Sequence, residues 1–332
     1  MIGTGGIGSG KFFLLNGDHT LGREESRSGY ILDRNDYCKL HIISHYVKSL
    51  LGEEFTVVPI GSIGNDDIGI KVLQEMNEIG LITSYVTTEP SKPTLFSFCF
   101  LYPDNSGGNM TTDDSACSIV NEFSITNAKA EFINFTDKGI VLAVPEVPLK
   151  AREALLKFGT DYNFFRTASF TSEEMNSVMN STILENVDLI SINLDEAAHA
   201  INLDTDKTDP MKIVNECMLA FRRINQNLKI SITHGKSGSW ILDSSDISHL
   251  PSLDLEVVNT AGAGDAFFSG IISGIVAGLS LKESQQLGTL VGGASVTSPH
   301  TINKNIDRNI LNELAKKAPF TISSNIFNLL EV

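Results

Sequence analysis

Along most of this chain, short apolar runs of strand length alternate with longer stretches whose apolar positions recur at helical spacing. Residues 55–60 read as a strand, and 67–79 as a helix that stops near Gly80. Residues 139–144 and 187–192 are further strands, followed by helices at 149–158 and 196–201. A helix at 210–225 opens with Pro210 in its first turn, where the missing amide costs nothing. Residues 228–233 form another strand, and 240–242 begin a short antiparallel return. Repeated strand–helix units predict an α/β fold whose mostly parallel central sheet is covered by helices on both faces.

Two regions break the rhythm. Residues 84–115 look like strands with polar turns: 94–101 is β-rich and runs into Pro103-Asp104-Asn105-Ser106-Gly107-Gly108. Residues 12–36 are irregular and polar. Together they predict a small β lid over one edge of the sheet, appended to a single domain spanning residues 1–332. Residues 33–46 read as a helix. The most apolar stretch, 266–281, is punctuated by Gly270, Gly274 and Gly278 and is short for a membrane span, so it reads as a buried helix.

The formal net charge of −15 makes nucleic acid an unsuitable partner, because an acidic surface repels a phosphate backbone. A small nucleotide is not excluded, since backbone amides can hold phosphates inside an acidic protein. Cys38, Cys99, Cys117 and Cys217 are scattered, with no C-x-x-C pair, and read as reduced thiols of a cytoplasmic protein. No basic region followed by an apolar core opens the chain. It begins Met1-Ile2-Gly3, as though a first strand were cut short, with the natural start upstream.

Gly3-Thr4-Gly5-Gly6-Ile7-Gly8 fits G-x-G-x-x-G, but a dinucleotide site needs a strand before it and a helix directly after. Almost nothing precedes it, and turn-like sequence follows 11–18. Gly5 to Lys11 nearly matches a P-loop, but Phe12 stands where a hydroxyl should hold Mg²⁺. A glycine-rich turn after the first strand is the simpler reading. Among seven histidines, only His41 and His45 have ligand-like spacing, and they lack the accompanying glutamate of a zinc helix.

The segment Val257-Val258-Asn259-Thr260-Ala261-Gly262-Ala263-Gly264-Asp265 joins an apolar strand end to a small-residue turn and a long apolar helix. Gly262, Ala263 and Gly264 leave amides uncovered at the helix start, where the dipole is positive, and this makes an anion hole. Asp265 sits in the first turn, beside the bound anion. That arrangement suits phosphoryl transfer, with the amides neutralising charge and the carboxylate accepting the proton of the attacking hydroxyl. A helix with an ordinary acidic first turn is the competing reading.

Here the chain resembles the ribokinase/PfkB carbohydrate kinases, whose signature is D-T-x-G-A-G-D-x-F-x-x-G. Asn259 to Gly270 matches it at all but the first fixed position. The resemblance implies a ribokinase-like fold, an ATP-dependent kinase that phosphorylates a hydroxyl of a sugar, sugar phosphate or nucleoside-like molecule, and Asp265 as its base. Gly61-Ser62-Ile63-Gly64-Asn65-Asp66-Asp67-Ile68-Gly69 is similar to the family's G-x-v-G-x-D-x-x-G segment. Asn193-Leu194-Asp195-Glu196 matches N-x-x-E, implying that Asn193 and Glu196 organise Mg²⁺ and phosphates through water. A helix cap is the other reading of that motif. Thr233, Gly235 and Gly238 resemble the T-x-G-x-x-G nucleotide loop, and with Thr260 and Gly292 they are the implied ATP contacts.

The chain departs from the family in two places. Asn259 replaces the Asp that contributes to a monovalent-cation site in ribokinase-like members, which puts K⁺ activation in doubt. The family's glycine pair and sugar-gripping helix have no counterpart in 33–46. Candidate substrate contacts are Asp18, Arg23, Glu24, Arg27, Asp36, Lys39 and Asn109, and a solvated surface role competes for each. Arg23, Arg27 and Lys39 would suit an anionic acceptor such as a sugar phosphate. The altered acceptor region also admits a non-catalytic relative that binds a sugar or nucleotide, against which the intact Gly-Ala-Gly-Asp speaks. A nicotinamide dehydrogenase would rest on the rejected glycine motif alone. Family members often pair their lid strands, which implies a homodimer. No membrane partner is expected.

Overall fold

The computed structural model describes residues 1–104, 107–244 and 246–331. The first half of the chain runs β1 (Ile2–Thr4), β2 (Gly8–Leu15), β3 (Gly29–Tyr37), α1 (Lys39–Leu51), β4 (Val58–Gly64) and α2 (Asp67–Glu78). It continues with β5 (Val86–Glu89), β6 (Leu95–Leu101), β7 (Gly107–Thr111), α3 (Glu122–Asn127), α4 (Lys129–Asn134), β8 (Ile140–Ala143) and α5 (Leu149–Asp161). The second half holds β9 (Phe165–Ala168), α6 (Met175–Met179), β10 (Leu189–Asn193), α7 (Leu194–Ala200), α8 (Pro210–Ile224) and β11 (Lys229–Thr233). It closes with β12 (Ser239–Asp243), β13 (Asp246–Leu250), α9 (Ala263–Val276), α10 (Leu281–Ser295), α11 (Arg308–Lys317) and α12 (Ser324–Leu330).

The main sheet has nine strands in the order β13-β12-β11-β10-β9-β8-β1-β4-β5. Its pairings are parallel except at one end, where β12 and β13 run antiparallel. Alternate residues of one strand enter different cores, as period-2 geometry requires. Val141 and Ala143 of β8 pack with Phe132, Leu155 and Val214 on one face. Ile140 and Leu142 pack with Leu40, Ile43, Phe268 and Ile272 on the other. Strand order reverses at β1: the chain goes outward to β4 and β5, then returns to β8 on the opposite side. In open α/β sheets the crevice beyond the strand ends at such a reversal is where ligands bind.

The lid is a separate four-stranded sheet in the order β3-β2-β6-β7. Its boundaries differ from those expected from sequence. β2 begins at Gly8, the loop 16–28 carries no strand, and β5 belongs to the main sheet's edge beside β4. Residues 33–37 are strand rather than helix, and the helix starts only at Lys39. Their polar sequence hides the pairing of Gly10 with Asp36 and Phe12 with Leu32, a register shift that extended backbone absorbs. The strand expected at 55–60 lies at Val58–Gly64, so the Gly61–Gly64 part of the glycine segment is itself strand. The apolar stretch 266–281 belongs to two helices, not one: α9 stops before Gly278, at φ +80°, and Ser280 caps α10. Asn105 and Ser106 of the expected 103–108 turn lie outside the described residues. No helix among the described residues is long and apolar enough to cross a membrane.

Candidate active site

Four connections leave the C-terminal ends of parallel strands along the same edge of the sheet. They follow β1 (Gly5, Gly6), β8 (Glu146), β10 (Asn193) and β11 (Thr233). The glycines after β1 are steric necessities. A Cβ on Gly5 would stand 2.3 Å from Val144 Cγ2, and one on Gly6 would stand 2.1 Å from Glu146 Oε2. No helix follows this glycine run; β2 does. The run therefore lets the β8 connection close over β1 and is not a phosphate loop.

Two helix starts face each other across the crevice. Lys39 is the first residue of α1, and Asp265 lies in the first turn of α9. Lys39 Nζ donates to Asp265 Oδ1 at 3.3 Å. The Asp265 charge, outweighing burial, holds the Lys39 ammonium well above the usual lysine range. Glu196 and Glu146 act on Lys39 in the same sense, so all four groups share one field.

The turn read as an anion hole starts α9 at Gly262–Gly264. Gly262 takes φ +78°, and a Cβ there would meet Thr301 O at 2.9 Å. Ala263 N–H is already committed to Thr260 O at 3.2 Å. The amides of Gly264 and Asp265 have no acceptor among the described residues. A Cβ on Gly264 would meet nothing within 4 Å, so the turn opens into free space there. The hole thus rests on Gly264 and Asp265 more than on Ala263.

Asn193 and Glu196 form a reciprocal capping box on α7. Asn193 Oδ1 accepts from Glu196 N–H at 2.8 Å, and Glu196 Oε2 accepts from Asn193 N–H at 2.8 Å. Burial pushes the Glu196 carboxyl up, against the pull of Lys39. Its second oxygen carries no hydrogen bond among the described residues. Among the described residues no three His, Cys, Asp or Glu side chains gather into a metal-ligand set. Thr233 ends β11, and the turn after it is closed by His234 N–H to Gly238 O at 2.8 Å. Gly235 and Gly238 both have positive φ, and a Cβ on Gly238 would strike Leu250 O at 2.0 Å. Gly292 lies on α10 against α9, its missing Cβ 3.3 Å from Ala263 O, and so sets the spacing behind the anion hole.

The acceptor candidates divide. Lys39 is in the site. Asp36 lies on the inner lid face, where its Oδ2 accepts from the Ser97 hydroxyl and, at 3.5 Å, from Cys99 Sγ. Burial pushes its carboxyl up against those bonds, and the Asp265 charge adds to the push. Asn109 pairs with Cys99 on the exposed strand β7. Asp18, Arg23, Glu24 and Arg27 all fall in the 16–28 loop. Arg27 is no free cation: its guanidinium binds Glu25 at 2.6 Å and His19 O at 2.6 Å.

Glu146 is the residue that sequence reasoning misses. It adopts φ +78°, a left-handed conformation that is costly for a side chain with a Cβ and that persists where surroundings enforce it. Its Oε2 is buried without a hydrogen-bond partner. Burial raises its pKa to about 7, opposed by Lys39 and reinforced by Asp265. The only sequence signal was Pro145-Glu146-Val147-Pro148 at a strand end.

The sequence pattern of the pfkB family carbohydrate kinases matches residues 44–308. This chain belongs to that family. PfkB carbohydrate kinases are phosphotransferases with an alcohol as acceptor. Among individual relatives, an ATP-dependent 6-phosphofructokinase of Thermoanaerobacterium thermosaccharolyticum is 33% identical over 110 residues, 33% of this chain and 31% of that protein. A 2-dehydro-3-deoxygluconokinase of Bacillus subtilis is 24% identical over 290 residues, covering 80% of this chain and 86% of that protein. A ribokinase from Cryptococcus neoformans var. grubii serotype A, solved with ADP, superposes with a TM-score of 0.77. That superposition covers 94% of this PfkB chain and 98% of the other at 18% identity, which establishes the shared α/β fold.

Proposed function

We propose that this PfkB protein transfers the γ-phosphoryl group of ATP to a hydroxyl of a sugar-derived small molecule, with Asp265 as the base. The observation that carries this is the Lys39–Asp265 pair set beside unbonded amides and the open space at Gly264. Asp265 accepts the hydroxyl proton, while the Gly264 and Asp265 amides and the Lys39 ammonium face the negative charge of the moving group. ATP fits the glycine turns at 233–238 and 262–264. Mg²⁺ fits the free oxygen of Glu196 through a water ligand, since it keeps several waters and takes the rest of its shell from phosphates. When bound it neutralises phosphate charge.

Glu146 and Asp36 are the proposed acceptor contacts, as carboxylates that take hydrogen bonds from sugar hydroxyls. Relatives bearing the names 2-dehydro-3-deoxygluconokinase and 6-phosphofructokinase support a sugar-derived acceptor. They are kinases and lend nothing to a binding-only role. With Arg27 paired, an anionic acceptor would depend on Lys39 and on Arg34, which lies two residues from Asp36 on β3 and has no ion pair among the described residues. The lid's outer face, carrying Phe13, Ile31, Phe98, Phe100 and Met110, is the proposed surface for a second copy. The described chain is read as one domain with its lid, working in the cytoplasm.

The test is ADP release from ATP and Mg²⁺ against neutral sugars, sugar acids, sugar phosphates and nucleosides, with Asp265→Asn alongside. Substrate-dependent release should fall by about 10²-fold or more in the variant. Equal rates in both proteins would remove Asp265 as the base.

A further inference from the structure

Asn259 occupies the one signature position where this chain departs from its family, and its side chain is engaged at both ends. It is 7% exposed. Its Oδ1 accepts from Ala261 N–H at 3.1 Å, and its Nδ2 donates to the Pro299 carbonyl at 3.0 Å. The two partners fix which end of the amide is which, because Ala261 N–H can only donate and the Pro299 carbonyl can only accept. The backbone ties the same two segments: Val258 N–H and Asn259 N–H both reach Val296 O, at 2.8 and 3.2 Å. The segment leading into the anion hole is thus bound to residues 296–299, and Thr301 O lies directly against Gly262.

An aspartate in this place would bring a carboxylate oxygen against the Pro299 carbonyl. Two acceptors at hydrogen-bond distance repel, and inside a protein a cation or a proton must stand between them. Asparagine removes the negative charge and supplies the missing donor. The residues present therefore do not fit a monovalent cation at Asn259: the facing Pro299 carbonyl is already taken, and the side chain presents N–H where a cation needs oxygen.

We propose that the Asn259 amide takes the place of the monovalent cation, so that the anion hole of this chain is held in shape without K⁺. Asn259 is a positioning residue, acting on the phosphoryl group only through the turn that follows it. The activity arm of the test rests on the kinase reading above, and the stability arm does not.

Melting temperature and ADP release are measured in KCl and in choline chloride at equal ionic strength, for the wild-type chain and for Asn259→Asp. The wild-type protein is expected to melt at the same temperature and, given an acceptor, to turn over at the same rate in both salts. Asn259→Asp is expected to melt lower in choline and to recover in K⁺ by about 2 °C or more, because it recreates the facing acceptors that a bound cation relieves. A K⁺-specific rise of that size in the wild-type protein, or a severalfold K⁺ activation of it, would overturn the proposal. So would an Asn259→Asp protein that melts identically in both salts. If Asn259→Asp does not fold, the wild-type comparison decides alone. Absence of turnover in both salts counts against the kinase reading, while the melting curves still judge the amide.

Discussion

Lys39 and Asp265 each lie in the first turn of a helix, and the two helices meet start to start. A helix N-terminus favours a negative group and disfavours a positive one, so Asp265 suits its place and Lys39 is kept there by Asp265. Glu146 completes the cluster at some cost to the fold. A carboxyl whose folded pKa lies above its unfolded value binds a proton more tightly in the native state. Its favourable contribution is complete below about 4.5 and is lost as pH rises through about 7. Glu146→Gln should therefore gain stability over wild type across that window, by roughly 2 kcal/mol at its alkaline end. Thermal denaturation as a function of pH reads this directly, and a difference that stays constant with pH would refute it. Asp265 was legible in the sequence because its turn and helix are contiguous. Glu146 was not, because its meaning comes from Gly6, which meets it across 140 positions of chain. The engagement of Arg27 was hidden for a different reason: its partner is its own near neighbour Glu25, and such a pair carries no sequence signature.

At the scale of elements, Asp66 shows how the acidic residue of a family motif can be architectural. It caps α2 through Gly69 N–H at 2.8 Å and also accepts from Thr94 N–H and the Thr94 hydroxyl, at 2.7 and 2.6 Å. Burial opposes its ionisation, but the Thr94 and Gly69 bonds outweigh it and hold the carboxyl below the usual range. That single side chain fixes the entry of β6 into the lid against the start of α2. Asp66→Ala should cost about 1–2 kcal/mol for the cap alone and more with the Thr94 bonds, seen as a lower denaturant midpoint at unchanged slope. A variant within about 0.5 kcal/mol of wild type would reject this reading. The βα units were readable from periodicity, because each strand is buried on both faces and each helix on one. Of the lid strands, β6 was readable from its β-rich run and β3 was not. β3 carries Asp33-Arg34-Asn35-Asp36, a sequence whose extended form comes from pairing with β2 and not from its own propensity.

Across the whole molecule, strand order explains why residues 5–6, 146, 193 and 233 share a crevice although they come from all parts of the chain. The sequence announced the parallel sheet but not its order, since order is set by which neighbours bury which faces. The outer lid face is the one large apolar surface of the described lid. Ile31 is 68% exposed and Met110 56%, and the Phe13 and Phe98 rings lie tilted against each other with centroids 5.8 Å apart. If two copies cover that face, Ile31→Asp with Phe98→Asp should convert a sedimenting dimer into a monomer without loss of helical signal. Unchanged sedimentation of the double variant would assign the face to something else.

The lid is anchored unequally. Along β3, Tyr37 N–H bonds Thr301 Oγ1 at 3.0 Å, Asn35 N–H bonds His300 Nδ1 at 2.9 Å, and Thr301 N–H bonds Asn35 O at 3.1 Å. At the opposite border β7 pairs, among the described residues, with β6 alone. A sheet fastened along one border and loose along the other swings like a door, with β3 as the hinge post and β7 as the leading edge. Amide hydrogen exchange should accordingly be slow in 35–37 and fast in 107–111, and an acceptor should slow the second group far more than the first. Because the hinge post shares the 299–301 segment with the Gly262 turn, a swing of this door would leave that turn assembled.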